Sequence, residues 1–275
     1  MPEGPEIRRA ADRISKKIVG KEIHSLTLIY PPIVEFQEIL QQSQIESITT
    51  RGKAMLIRFD CDLSMYSHNQ LYGRWTVNRR STEMKWNRSL RVEFLTDNFA
   101  VRLWSATDIE IIPTSKEEDH PFISKLGPDI LDDSCTPSLI FDRLKSKKFC
   151  NRNASSLMLD QSFLAGIGNY LRSEILHQSG VHPNAKPRLI SDKKLQHWAE
   201  TTKNLSKLSY DTGGFTVSEK VALAGKQRGE PKRAYRHSAF CRNGLLCHYC
   251  DAEIVRIRVS NRRLDYCPKC QCLPK

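Results

Sequence analysis

The chain is 275 residues long and carries 43 Lys plus Arg against 31 Asp plus Glu, a net charge of +12 and a pI near 9.3. That length holds one large domain or two, and the positive surplus favours a polyanionic partner, nucleic acid first. No apolar run reaches the roughly 18 residues that span a bilayer. Glu3, Glu6, Arg8, Arg9, Asp12 and Arg13 interrupt any signal-peptide core, so a cytoplasmic location is expected.

The first residues are Met1-Pro2-Glu3-Gly4-Pro5-Glu6. If Met1 is removed, Pro2 carries a terminal secondary amine, and such a group titrates near about pH 8. An unprotonated amine of this kind attacks electrophilic carbon and collapses to an iminium ion, which is Schiff-base chemistry without a lysine. Glu3 is the adjacent proton carrier. Many chains begin Met-Pro for no catalytic reason, so the pair gains weight only from its company.

Ile7, Ala10, Ala11, Ile14 and Ile18 recur at helical spacing, which predicts an amphipathic helix over 5–19 with Gly20 as its C-cap. From about 23 to 112 the pattern turns to period two. Residues 54–59 and 63–66 read as a hairpin closed by Asp60-Cys61-Asp62, and 90–95 with 99–104 as another closed by Thr96-Asp97-Asn98. Lys53 follows Gly52 at the mouth of a strand, where a solvated surface lysine is the default. Gln70-Leu71-Tyr72 forms a loop whose polar, apolar and aromatic side chains suit a wedge into a duplex, although plain loop packing is commoner.

Residues 113–135 are polar and broken by Pro113, Pro121, Gly127 and Pro128, as in a linker. Thr136-Pro137 opens a helix to about Lys147, 157–166 and 170–180 read as a close helix pair, and Ser191 caps a helix to about Leu208. The pair is joined by a glycine-rich turn ending Gly166-Ile167-Gly168-Asn169, where N–H groups at a helix start attract anions and the Asn169 amide adds a donor. By itself such a turn is more often mere connection.

Nine cysteines in a reducing compartment suggest metal ligands and buried thiols. Cys247-x2-Cys250 and Cys267-x2-Cys270 have the spacing of a closed four-thiolate zinc site, hence a structural Zn2+. Cys272 or His248 as a substitute ligand would break the paired geometry. The residues between the two pairs read as a β-hairpin whose Arg256, Arg258, Arg262 and Arg263 are all available to a phosphate backbone.

Pro-Glu-Gly-Pro-Glu at the start, Arg-Gly-Lys around position 52, Leu-Ala-Gly-Ile-Gly-Asn-Tyr from 164 and the terminal cysteine pairs stand in one order along nearly the whole chain. Together they resemble the formamidopyrimidine-DNA glycosylase and endonuclease VIII family. Residues 67–73 and 168–172 are most similar to its bacterial endonuclease VIII branch. The resemblance implies an α+β fold: an N-terminal antiparallel β-sandwich with flanking helices over 1–112, a linker over 113–135, a helical domain with a helix–two-turns–helix motif over 136–240, and a zinc β-hairpin finger over 241–275.

It also implies a monomeric, nucleoid-associated bacterial repair enzyme, a bifunctional glycosylase and abasic-site lyase acting on oxidised pyrimidines in duplex DNA. Pro2 is then the nucleophile and Glu3 the acid/base. Lys53, Asn169 and Arg262 grip the phosphates, Arg172 adds to the DNA contacts, and Gln70, Leu71 and Tyr72 fill the hole left by the rotated nucleotide. Asn261 before Arg262, with Arg263 and Asp265 after it, departs from the family pattern and leaves Arg263 as the rival for the finger arginine. Rival functions are a glycosylase for oxidised purines, a non-catalytic zinc-finger DNA-binding protein, and a zinc ribbon that binds RNA or protein.

Overall fold

The computed structural model describes residues 2–84 and 86–273. The removal of Met1, on which the Pro2 amine depends, lies outside the described residues. Two compact units emerge: Glu6–Lys125 with Pro2, and Leu126 onward with Glu3–Pro5. The chain thus changes unit at three peptide bonds, after Pro2, after Pro5 and after Lys125.

Helix α1 (Gly4–Ile18) buries Ile7, Ala11, Ile14 and Ile18, the face that the periodicity marks, and Gly20 follows in the left-handed region at φ +62°. After it come β1 (Ser25–Leu28), α2 (Gln37–Gln41), β2 (Ile45–Arg51), β3 (Ala54–Phe59), β4 (Leu63–His68), β5 (Arg74–Arg79), β6 (Leu90–Leu95), β7 (Phe99–Trp104) and β8 (Asp108–Pro113). The strands form two antiparallel sheets of order β1-β6-β7-β5 and β2-β3-β4-β8. Side chains of α1 and of both sheets share one apolar core, so the expected sandwich is present.

Strand β3 is buried on both faces, which is why its sequence runs apolar without alternating. Met55, Ile57 and Phe59 enter the sandwich core, while Ala54 and Leu56 pack with Tyr66 and Ile123 on the other side. Ile123 belongs to the stretch read as a linker, so that stretch is not slack. It holds two 3-10 turns, Thr114–Asp119 and Ile123–Lys125. Glu117 is buried within the first, pairs with Arg58 and accepts the Ser64 hydroxyl at 2.6 Å.

The second unit begins with α3 (Pro137–Lys145), whose Thr136 cap accepts the Leu139 N–H at 3.2 Å. The helix expected over 157–166 does not form. A short α4 (Ala154–Leu157) is followed by turns up to α5 (Asn169–Gln178). Asp160 diverts the backbone by accepting the Ser162 N–H at 2.8 Å, and Ala165 pairs with Asp129 in an isolated bridge. Arg143 then holds the carbonyls of Phe163 and Ser162 at 2.9 and 2.7 Å.

The long α6 (Asp192–Thr212) ends at Gly213 with φ +72°. Helices α7 (Glu219–Gln227) and α8 (Lys232–Tyr235) precede the hairpin of β9 (Val255–Val259) and β10 (Arg262–Tyr266). Helix α5 is the centre of this unit. Its residues from Tyr170 to His177 are all buried, among them the polar Arg172, Glu174 and His177.

Candidate active site and metal centre

A buried polar group needs partners, and those of α5 explain how the second unit is tied together. At the start of the helix the Glu3 carboxylate accepts the N–H groups of Gly168 and Tyr170 at 2.7 Å each and of Leu171 at 3.3 Å. Glu3 is 3 % exposed. The anion expected at this helix start was a phosphate; the structure places the chain's own carboxylate there, at the positive end of the helix dipole. Gly168 has no side chain because a Cβ would overlap the Glu3 carboxyl group. One step back, the Gly4 N–H donates to Gly166 O at 2.8 Å, and Gly166 lies at φ +99°.

Arg172 corrects a second expectation. Read as a DNA contact, it is fully buried, 0 % exposed. Its guanidinium donates to Asn169 Oδ1 at 2.6 Å, to Arg263 O at 2.8 Å and to Ser155 O at 3.3 Å. Burial pushes its pKa down to about 10, with the nearby Arg262 adding to the fall and Glu3 opposing it. Arg172 thus links the start of α5 to the hairpin backbone. With its oxygen engaged, the amide N–H groups of half-buried Asn169 make no hydrogen bond among the described residues.

The hairpin turns through Ser260 and Asn261 at φ +48° and +60°, a type I′ geometry that Asn tolerates. The departure from glycine thus leaves the turn intact. The four finger arginines do not share a face. Arg256, Arg258, Arg263 and Asp265 lie on one side by register, and Arg262 on the other, opposite Val259. Arg256 is paired to Asp265 through Nε at 2.6 Å. Arg263 donates to Cys241 Sγ at 3.1 Å and lies over the Phe240 ring. Arg262 is exposed, and its side chain makes no hydrogen bond or ion pair among the described residues.

In the first unit, Pro2 is half-buried. Lys53 is buried, not solvated, at the second position of a two-residue turn whose first position, Gly52, has φ +59°. Its charge lies near His68, where burial first, and Lys53 after it, hold the imidazole below its usual range, against the pull of Asp108. The tight turn between β4 and β5 holds Gln70 at φ +45°, with its amide on Asp108 Oδ2 at 3.2 Å. Leu71 and Tyr72 project from it, 66 % and 71 % exposed, which is the posture a wedge requires.

The four cysteine sulfurs converge. Cys250 lies 3.4 Å from Cys267 and 3.3 Å from Cys270, and Cys247 lies 3.8 Å from Cys270. Those separations exclude disulfides, which hold sulfurs about 2.05 Å apart. They fit thiolates at about 2.3 Å around one tetrahedral ion. The Tyr249 and Cys270 N–H groups point at Cys247 and Cys267 sulfur, at 3.5 and 3.4 Å. Cys272 is exposed, with its thiol on backbone carbonyls. No spacing pattern marks His177, whose ring nitrogen lies with the sulfurs of Cys247, Cys267 and Cys270 inside 4.8 Å.

Two family models match the chain: the formamidopyrimidine-DNA glycosylase N-terminal domain over residues 1–107 and the H2TH domain of the same enzymes over 126–221. The chain belongs to the formamidopyrimidine-DNA glycosylase family. Within it, the chain is 41 % identical over 271 residues to "Endonuclease 8" of Klebsiella pneumoniae and to that of Escherichia coli, covering 98 % of this chain and 100 % of each relative. Its fold matches the Lactococcus lactis formamidopyrimidine-DNA glycosylase bound to abasic-site DNA, with TM-score 0.79 and 21 % identity over 98 % of this chain and 99 % of that one. The same enzyme bound to DNA containing an oxidised pyrimidine matches at TM-score 0.80 and 20 % identity, over 98 % and 100 %. Among the described residues no helix is long and apolar enough to cross a membrane.

Proposed function

We propose that this DNA glycosylase and abasic-site lyase of base excision repair removes oxidised pyrimidines from duplex DNA, with Pro2 as its nucleophile. The observation that supports this most is the clamp on Glu3. The residue after Pro2 is held by three N–H donors at the start of α5, and a proton carrier works only when it is held still. The likeness to proteins named Endonuclease 8 over 98 % of the chain supports the pyrimidine assignment.

The Pro2 nitrogen donates its lone pair to the anomeric carbon of a nucleotide rotated out of the stack. The bond from that carbon to the base breaks, and the base leaves with the proton that the attacking amine gives up. The sugar ring opens as its oxygen takes a proton carried by Glu3, leaving an iminium ion. The iminium acidifies the adjacent C–H. Loss of that proton expels the 3′ phosphate, and a second elimination expels the 5′ phosphate. Lys53, Asn169 and Arg262 hold the phosphates in register, and Gln70, Leu71 and Tyr72 fill the vacated space.

Cys247, Cys250, Cys267 and Cys270 would hold a single Zn2+ in a structural role, which would fix the base of the hairpin that carries Arg262. The protein acts as a monomer in the bacterial cytoplasm, on the nucleoid.

Borohydride trapping on duplexes carrying thymine glycol, dihydrouracil, oxidised guanine or an abasic site tests this reading. A covalent adduct on the pyrimidine lesions that is lost in Pro2→Gly is expected, with intact mass showing Met1 removed. Adduct chiefly on oxidised guanine would move the protein to purine lesions. No adduct at all, with Met1 removed, would leave a DNA-binding relative without the chemistry.

A further inference from the structure

Four thiolates around a dication leave a surplus of negative charge in a buried place, and hydrogen-bond donors to sulfur offset it. Cys247 is 1 % exposed and receives one backbone donor, from Tyr249 at 3.5 Å. The imidazole of His177, itself 3 % exposed, brings Nε2 to 3.4 Å from the same sulfur. Its other nitrogen, Nδ1, is buried with no partner among the described residues.

We propose that His177 donates its Nε2–H to the Cys247 thiolate and so forms an outer member of the metal centre, tying the metal to the helix that clamps Glu3. The inference rests on the metal assignment above. The tautomer follows from hydrogen-bond economy. With the proton on Nε2, the ring makes a charge-assisted bond and leaves only a lone pair unpaired. With the proton on Nδ1, a buried N–H goes unpaired and a lone pair faces a thiolate.

A direct ligand role fits less well, because four thiols already converge with sulfurs 3.3–3.8 Å apart. The ring of Tyr249 stands 5.6 Å from that of His177. The donor sits on α5, five residues after Arg172 and three after Glu174. Glu174 accepts the N–H groups of Ser238, Ala239 and Phe240 at 2.7 Å each. One helix therefore grips the finger region at the hairpin, at its leading loop and at the metal site.

The test uses the full chain loaded with Zn2+ or Co2+. Wild type should hold one metal per chain; a metal-free wild type would overturn the metal assignment itself and this inference with it. His177→Phe should still bind one metal but release it to a colorimetric chelator about tenfold faster or more. Its sulfur-to-cobalt charge-transfer band should move to lower energy, because a thiolate without its donor is easier to oxidise. His177→Gln, which restores an N–H, should recover both. Equal release rates and bands in wild type and His177→Phe would overturn the inference.

A second readout needs no substitution. In the wild-type zinc protein, nitrogen-15 spectra should show His177 protonated at Nε2 with a proton protected from exchange. A proton on Nδ1, or Nε2 bonded to the metal, would overturn it.

Discussion

Gly168 and Glu3 share one space: the Gly168 N–H donates to the Glu3 carboxylate at 2.7 Å, and a Cβ on Gly168 would overlap the carboxyl carbon. Gly168→Ala should therefore push Glu3 aside. A displacement of about 1 Å costs on the order of 100-fold in rate. Single-turnover base release from an intact lesion should fall by that factor, with a far smaller loss of thermal stability. An unchanged rate would mean that Glu3 is not held for catalysis.

Arg172→Met removes the bolt between α5 and the hairpin. It leaves Ser155 O, Asn169 Oδ1 and Arg263 O without their donor, at about 1–3 kcal/mol for each group that stays buried. Denaturant unfolding should show a loss of about 3 kcal/mol or more, and DNA affinity should fall as Asn169 loses its orientation.

Arg262 and Arg263 are separable by salt. Arg262→Ala should weaken DNA binding and reduce the slope of log affinity against log salt by about one. Arg263→Ala removes contacts to Cys241 and Phe240. It should lower finger stability and leave that slope nearly unchanged. The reverse pattern would exchange their roles.

Stripping the metal should unravel the knuckles at Cys247 and Cys267 and release β9 and β10. Duplex binding should drop at least tenfold, while near-ultraviolet signals from Trp75 and Trp104 in the sandwich stay as they were. Binding that survives in the metal-free protein would contradict a role for the finger.

Acid should weaken the second unit through His237. Burial, with Arg236 beside it, pushes this imidazole down to about 3. It is packed on the Tyr170 ring, with Nδ1 at 2.8 Å from the Thr216 hydroxyl. The unfolded chain takes up the proton near about pH 6.5 while the fold refuses it. This contribution is complete above about 6.5 and declines as pH falls toward 3. Melting temperature should drop more steeply below about pH 6.5 in wild type than in His237→Gln.

Elements whose partners are local were legible. The apolar stripe of α1 and the β3–β4 and β6–β7 hairpins announce themselves, because their spacing and turns carry the information. The convergence of the paired cysteines was legible as well, because two short knuckles bring their sulfurs together. The turns over 158–168 were not legible, since Ala165 is held by Asp129 and the segment by Arg143, and neither lies in the window that suggests a helix. Burial of Arg172 and Lys53 was hidden for the same reason: a charge reads as surface until its distant partners are known. His177 lies 70 positions before Cys247, and no spacing rule joins them.

Glu3 and its clamp are separated by 165 to 168 positions, which sets an order of events during synthesis. The ribosome releases the amino-terminal residues first, yet the three N–H donors that clamp Glu3 begin to emerge only with Gly168 and are complete with Leu171. At about 5–20 residues per second that delay is on the order of ten to thirty seconds. A nascent or prematurely terminated chain ending before Gly168 would carry Glu3 and a complete sandwich, and lack the N–H groups that clamp that carboxylate. On the proposed mechanism, competence to cut DNA is thus withheld until most of the message has been read.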